Sequence, residues 1–122
     1  MRCAKFVVLL LLFFCGKVHC QQIQLSPSTE VSILTVGTAD ELYAKFGHSA
    51  IRIQDPVLGL DVVYNYGLFD FSDPNLYTKF TRGKLEYRSG RFQVDSFLYG
   101  YELENRWVKE QVLELSAPER QS

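Results

Sequence analysis

Apolar and polar positions along the chain fall into short runs separated by glycine, proline and aspartate. Val31 to Val36 is β-branched and apolar, which predicts a first strand ended by Gly37. Thr38 to Phe46 contains Asp40-Glu41-Leu42-Tyr43 and suits a short helical turn capped by Thr38 or Asp40. His48 to Gln54 alternates and predicts a second strand. Asp55-Pro56 and Gly59 supply the turn, and Asp61 to Tyr66 is a third strand closed by Gly67. Ser72-Asp73-Pro74 has the form of a helix start, with Leu76, Phe80 and Tyr77 as its inward candidates and Gly83 as its end. Lys84 to Arg88 alternates as a strand. Val94, Phe97, Leu98 and Tyr101 recur at helical spacing up to about Asn105, and Trp107 to Leu115 is a last strand-like run. The expected fold is therefore α+β, an antiparallel sheet with two or three helices.

The two ends read differently. Arg2 and Lys5 precede an unbroken apolar run from Phe6 to Phe14, and Val18-His19-Cys20 offers a cleavage site before Gln21. Residues 1–20 thus have the form of a secretory signal peptide, with an apolar run about half the roughly 20 residues of a membrane span. Bulky Phe14 and His19 argue against lipoprotein processing at Cys15 or Cys20. Gln21 to Thr29 is a polar lead-in containing Pro27. At the other end Ser116-Ala117-Pro118-Glu119 has capping-box spacing, with proline at an early helical position. It announces a helix three residues before the last residue given, and an isolated single turn does not sustain itself in water. A frayed tail is one reading. The other, preferred here, is that 21–122 is the N-terminal part of a longer protein.

Composition narrows the chemistry. Removing the leader takes out Arg2, Lys5 and Lys17, all three cysteines and His19. Ten Lys and Arg then face fourteen Asp and Glu, so the net charge goes from −1 to −4. The basic residues are read as scattered among acids, which leaves no electrostatic footprint for nucleic acid. No disulfide is possible after cleavage, so stability has to come from a packed core. No cofactor is implied. One histidine with dispersed acids is a poor metal site, since zinc takes three or four ligands at suitable spacing.

His48 is the histidine that remains. With Gln54 set opposite Asp61, Ser49, Ile51, Ile53, Val62, Tyr64 and Tyr66 share one sheet face, and that apolar face is expected to meet the core. His48, Ala50, Arg52, Val63 and Asn65 share the other. His48 then lies diagonally from Asn65, which could fix the imidazole tautomer. A one-residue slip would separate them. The plain alternative is a structural histidine bonded to a backbone carbonyl. Gly47-His48-Ser49-Ala50 is not a hydrolase nucleophile elbow, because the second glycine and the following helix are missing. Asp70 and Asp73 read as turn and helix-cap residues. The seven tyrosines read mostly as core or rim, with a surface facing lipid headgroups as the other use of an amphipathic ring.

Several stretches, taken in order, resemble the Lnb N-terminal periplasmic domain family. They include Leu25 to Ser28, Glu41-Leu42-Tyr43, Phe46 to Arg52, Asp61 to Gly67, Phe69-Asp70-Phe71, Lys79-Phe80, Arg82 to Leu85 and Tyr101 to Arg106. The resemblance spans roughly Leu25 to Leu115 and is most specific over Phe46 to Arg52 and Tyr64 to Gly67. It implies the His-bearing half of a permuted papain-like fold, in a periplasmic protein whose full-length parent is anchored in the cell envelope. The implied activity is cysteine-dependent N-acylation, with a phospholipid acyl donor, a lipoprotein acceptor and a membrane surface met through the part beyond this chain. His48 carries over as the base, while Asn65 as its orienting partner comes from the geometry above. The family's cysteine is expected after the helix announced at Ser116, so the chain alone should be inactive. A non-enzymatic periplasmic binding or assembly module is the alternative.

Overall fold

The computed structural model describes residues 23–122; the leader and its cleavage site lie outside them. The described residues form five strands: β1 (Glu30–Val36), β2 (His48–Asp55), β3 (Leu60–Leu68), β4 (Arg88–Gln93) and β5 (Val108–Val112). They make one antiparallel sheet in the order β4-β3-β2-β1-β5. Three helices accompany it, α1 (Leu76–Thr81), α2 (Val94–Leu103) and α3 (Ala117–Gln121), with a single 3-10 turn at Leu42–Ala44. The class is α+β.

The β2–β3 hairpin has the expected register, Gln54 opposite Asp61. Its turn is organised by one carboxylate. Asp55 is fully buried and accepts five hydrogen bonds. Two come from the N–H groups of Val57 and Leu58 across the turn. Three come from the lead-in: the Ser26 N–H, the Ser26 hydroxyl and the Thr29 hydroxyl. Burial opposes the charge, but the Ser26 N–H, the Thr29 and Ser26 hydroxyls and the Leu58 N–H outweigh it and hold the carboxyl well below the usual range. The lead-in is thereby stitched to the sheet. It is also tied to the other end of the chain. Gln121 accepts the Leu25 N–H and donates to the Ile23 carbonyl, and Arg120 donates to the Thr29 carbonyl. The Ser116–Glu119 capping box is formed. So α3 exists as a single turn held by its cap and its docking, not by its own propensity.

Two expectations are corrected. The first concerns which sheet face is covered. Val94 and Phe97 of α2 pack with Leu34, Val36, Ala50 and Val63. These sheet residues lie on the face that carries His48 and Asn65. The face expected to meet the core is largely open: Ile51, Tyr64 and Tyr66 are 49, 47 and 68 % exposed, against 0 % for Val63. Of the six residues expected to meet the core there, Val62 alone is fully buried. The helix begins directly at the end of β4 and lies over β4 and β3 on this side, so Val94 and Phe97 close onto the face with fewer large side chains. The second concerns the strand expected at Lys84 to Arg88. Pairing begins only at Arg88 and runs to Gln93. Ser89-Gly90 looks like a strand end in sequence, but Gly90 lies in the ladder because a Cβ there would meet Leu68 Cδ1 at 2.6 Å. Leu76 is buried and Phe80 half-buried as expected, whereas Tyr77 is exposed.

The face assignment is tested by paired truncations. Phe97→Ala should lower unfolding stability by about 3–5 kcal/mol, and Tyr64→Ala by less than about 1 kcal/mol. A reversed order in urea titrations would overturn it. A second expectation follows from Asp55. Because its native pKa is depressed, its stabilisation is complete above the unfolded value of about 3.9 and is lost as pH falls toward the native value. Unfolding midpoints should therefore drop from about pH 5 downward, with a shallower slope in Asp55→Asn, which is also less stable at neutral pH. Equal slopes would remove Asp55 as the source.

Candidate functional site

His48 opens β2 and Asn65 lies near the end of β3, both on the covered face. The β2–β3 ladder closes at Ile51 and Tyr64, one residue short of Asn65. Beyond it the pairing of β3 with β4 shifts between Tyr66 and Leu68. Bulges of this kind bend a strand and re-aim side chains. Gly67 sits at the shift with φ 108°, and a Cβ on it would lie 3.5 Å from His48 Cε1. A side chain at that φ would be strained, while the space beside the imidazole would take a Cβ at ordinary contact distance.

The structure brings His48 and Asn65 together through a hydrogen bond between His48 Nε2 and Asn65 Oδ1. An amide oxygen only accepts, so with this amide orientation the proton of neutral His48 sits on Nε2. Nδ1 then carries the free lone pair. Asn65 is itself buried, so the pair is shielded from competing water. Ser49, next to His48, points to the opposite face and is exposed. Asp70 and Asp73 are engaged locally, accepting from Ser72 and from Asn75 and Lys79.

The His48–Asn65 pair lines a cleft of about 470 Å³. One wall is aromatic and continuous. Tyr87 meets Phe69 at 6.0 Å between ring centroids, Phe69 meets Phe71 at 4.5 Å, and Tyr43 contacts both phenylalanines at 5.3 and 5.4 Å. Across from it stand Tyr101 and Arg106. The Arg106 side chain is only 7 % exposed. It is fixed by the Gly37 carbonyl at 2.8 Å, by Glu104 at 2.9 Å, and by stacking over Tyr101 at 4.9 Å. Burial pushes the Tyr101 phenol above its ordinary value, and burial, with Glu41 adding to it, does the same for Tyr43. Both rings are neutral hydroxyl-bearing surfaces at physiological pH. Sequence reading missed Arg106 and the aromatic wall as site components. Their only signal there was membership in the matching stretches Glu41-Leu42-Tyr43, Phe69-Asp70-Phe71 and Tyr101 to Arg106.

Among the described residues no three His, Cys, Asp or Glu side chains gather to hold a metal ion, and no helix is long and apolar enough to cross a membrane. All three cysteines lie outside the described residues. The arrangement can therefore accept or donate a proton at an oriented imidazole beside an apolar, aromatic cleft.

An α+β domain with an oriented histidine at the mouth of such a cleft is the class that fold and site define. The family model of the Lnb N-terminal periplasmic domain matches residues 18–122, and the chain belongs to that family. No curated protein and no solved structure matches it.

The tautomer is directly measurable. Imidazole nitrogen chemical shifts should show neutral His48 protonated at Nε2, and Asn65→Ala should move the population toward the Nδ1–H form. A wild-type imidazole already protonated at Nδ1 would mean that Asn65 does not orient it.

Proposed function

We propose that this domain supplies the base and the cleft of a periplasmic thiol acyltransferase. That enzyme moves a fatty acyl chain from a phospholipid to the N-terminal amine of a lipoprotein. The observation that carries the reading is the Nε2 bond to Asn65, which leaves Nδ1 free as a base beside an apolar cleft. Family membership gives the periplasmic setting.

In the first half-reaction His48 Nδ1 takes the proton of a cysteine thiol. The thiolate attacks the donor's ester carbonyl, the ester C–O bond breaks, and the departing alcohol takes the proton back from the imidazolium. A thioester remains. In the second, the acceptor amine attacks the thioester carbonyl, loses its proton to His48, and the thiolate leaves and is reprotonated. Asn65 holds the ring through both transfers. The described residues contain no cysteine, so the thiol comes from outside them.

A second reading, a periplasmic binding or assembly module in which His48 and the tyrosines contact a partner, is favoured by the exposure of Tyr64 and Tyr66. One experiment separates the two. The gene encoding this chain, in its full reading frame, is placed in cells with no other source of lipoprotein N-acylation. Mass spectrometry then reads the N-terminal peptide of a reporter lipoprotein. Wild type should be N-acylated. His48→Ala should lose the modification by about 10²–10⁴-fold, and Asn65→Ala should lose part of it, at unchanged protein level. Unchanged acylation in His48→Ala would remove the base assignment, and unmodified amines in wild type would leave the binding module.

A further inference from the structure

Net charge hides a segregation of the cations. The described residues hold ten Lys and Arg against fourteen Asp and Glu. Five of those ten, Lys79, Arg82, Lys84, Arg88 and Arg91, fall within thirteen residues that contain a single acid, Glu86. The basic residues are thus not scattered among acids as the charge balance suggested. Lys79 pairs with Asp73 at 2.5 Å. Arg82, Lys84, Arg88 and Arg91 are exposed and make no ion pair among the described residues. Arg88 shares a small hollow with Asp70, Asp73 and Glu86, where the Ser72 hydroxyl and N–H hold the Asp70 carboxyl below its ordinary value and Arg88 adds a lesser pull. Counting those acids, residues 70–91 still carry +2 while the remaining described residues carry −6.

The same edge displays the exposed rings. Tyr64 sits opposite Arg91 in the β3–β4 ladder, and Tyr66 contacts Tyr87, which adjoins Arg88 in sequence. Tyr77 lies on α1, two residues before Lys79 in sequence. All four tyrosines are between 42 and 68 % exposed, and so is Phe71 where the aromatic wall reaches the surface. Unpaired cations interleaved with exposed tyrosines form a surface of definite chemistry. The rings are amphipathic and suit a headgroup layer, and the charges complement an anionic one.

From this charge pattern we propose that the α1–β4 edge is a docking surface for an anionic phospholipid bilayer, bringing the mouth of the His48 cleft to the membrane. A chain of net negative charge would be repelled as a whole by a polyanion that wraps it. A planar leaflet meets only the edge presented to it, and electrostatic attraction falls off within about 10 Å at 0.1 M salt. The proposal shares its location with the acyltransferase reading but does not rest on it, since adsorption is read without turnover.

The test is flotation of the chain, purified from the periplasm of an expression host, with vesicles of phosphatidylglycerol or of phosphatidylcholine. Binding to phosphatidylglycerol should be at least tenfold tighter than to phosphatidylcholine and should weaken in 0.5 M salt (about 4 Å screening). Arg82→Gln, Lys84→Gln, Arg88→Gln and Arg91→Gln together should lose at least tenfold, at roughly fivefold or less per charge, with unchanged circular dichroism. Arg82→Gln with Lys84→Gln, both outside the strands, should lose a measurable share without touching the fold. Equal binding to the two lipids, full retention of binding by these variants, or equally tight binding of a single-stranded oligonucleotide would overturn the proposal.

Discussion

The register of the β2–β3 hairpin is the constraint on which the site depends. A slip of one residue would send His48 to the open face and leave Asn65 behind. The turn alone, Asp55 to Leu60, could accommodate other pairings. Asp55 removes that freedom by binding the turn amides with one oxygen and the lead-in with both. A carboxylate buried without those donors would be strongly unfavourable, so any register that moves Asp55 out of reach of Ser26 and Thr29 is disfavoured. Arg52 adds to this from the covered face. It binds Asp61 through two contacts at 2.7 Å and Glu110 of β5 at 3.1 Å, so that β2, β3 and β5 are held in one alignment.

Much of the fold was legible because strand alternation and turn chemistry are local. The pairing of Gln54 with Asp61 could be read from Asp55-Pro56 and Gly59. The choice of covered face could not. Ile51, Ile53, Tyr64 and Tyr66 outnumber the large apolar residues opposite, yet α2 packs on the other side. Helix placement depends on how the chain leaves the sheet as well as on hydrophobicity, and α2 starts directly after the last residue of β4 and turns back over β4 and β3. The position of β4 was obscured for a related reason. Ser89-Gly90 carries turn chemistry, but its pairing is decided by Leu68 and Phe92 on either side of the glycine, a contact invisible to a local reading.

The site divides in the same way. His48 and Asn65 could be related by parity alone, since both positions follow from one hairpin. The aromatic wall could not, because Tyr43, Phe69 and Tyr87 come from three separate connections. Arg106 was hidden in a stretch that otherwise marks the end of a helix. Its guanidinium is held by Gly37, which also donates its N–H to the Trp107 carbonyl at 2.8 Å. The cleft is therefore assembled where the exits of β1, β3 and α2 converge.

Orientation and access place opposite demands on β3. A regular strand would hold Asn65 against His48 equally well, but its next residues would continue beside the imidazole and cover it. The irregularity at Gly67 resolves the conflict. It comes two residues after Asn65, late enough to keep that side chain in the sheet and early enough to carry Phe69 and Phe71 away into the wall. Its φ of 108° is the constraint that calls for glycine, since a Cβ there would meet only His48 Cε1, at an ordinary contact distance of 3.5 Å. A histidine with only a structural role would gain from being covered by that strand. The break in β3 fits the proposed role, in which the imidazole stays reachable at the nitrogen Asn65 does not occupy.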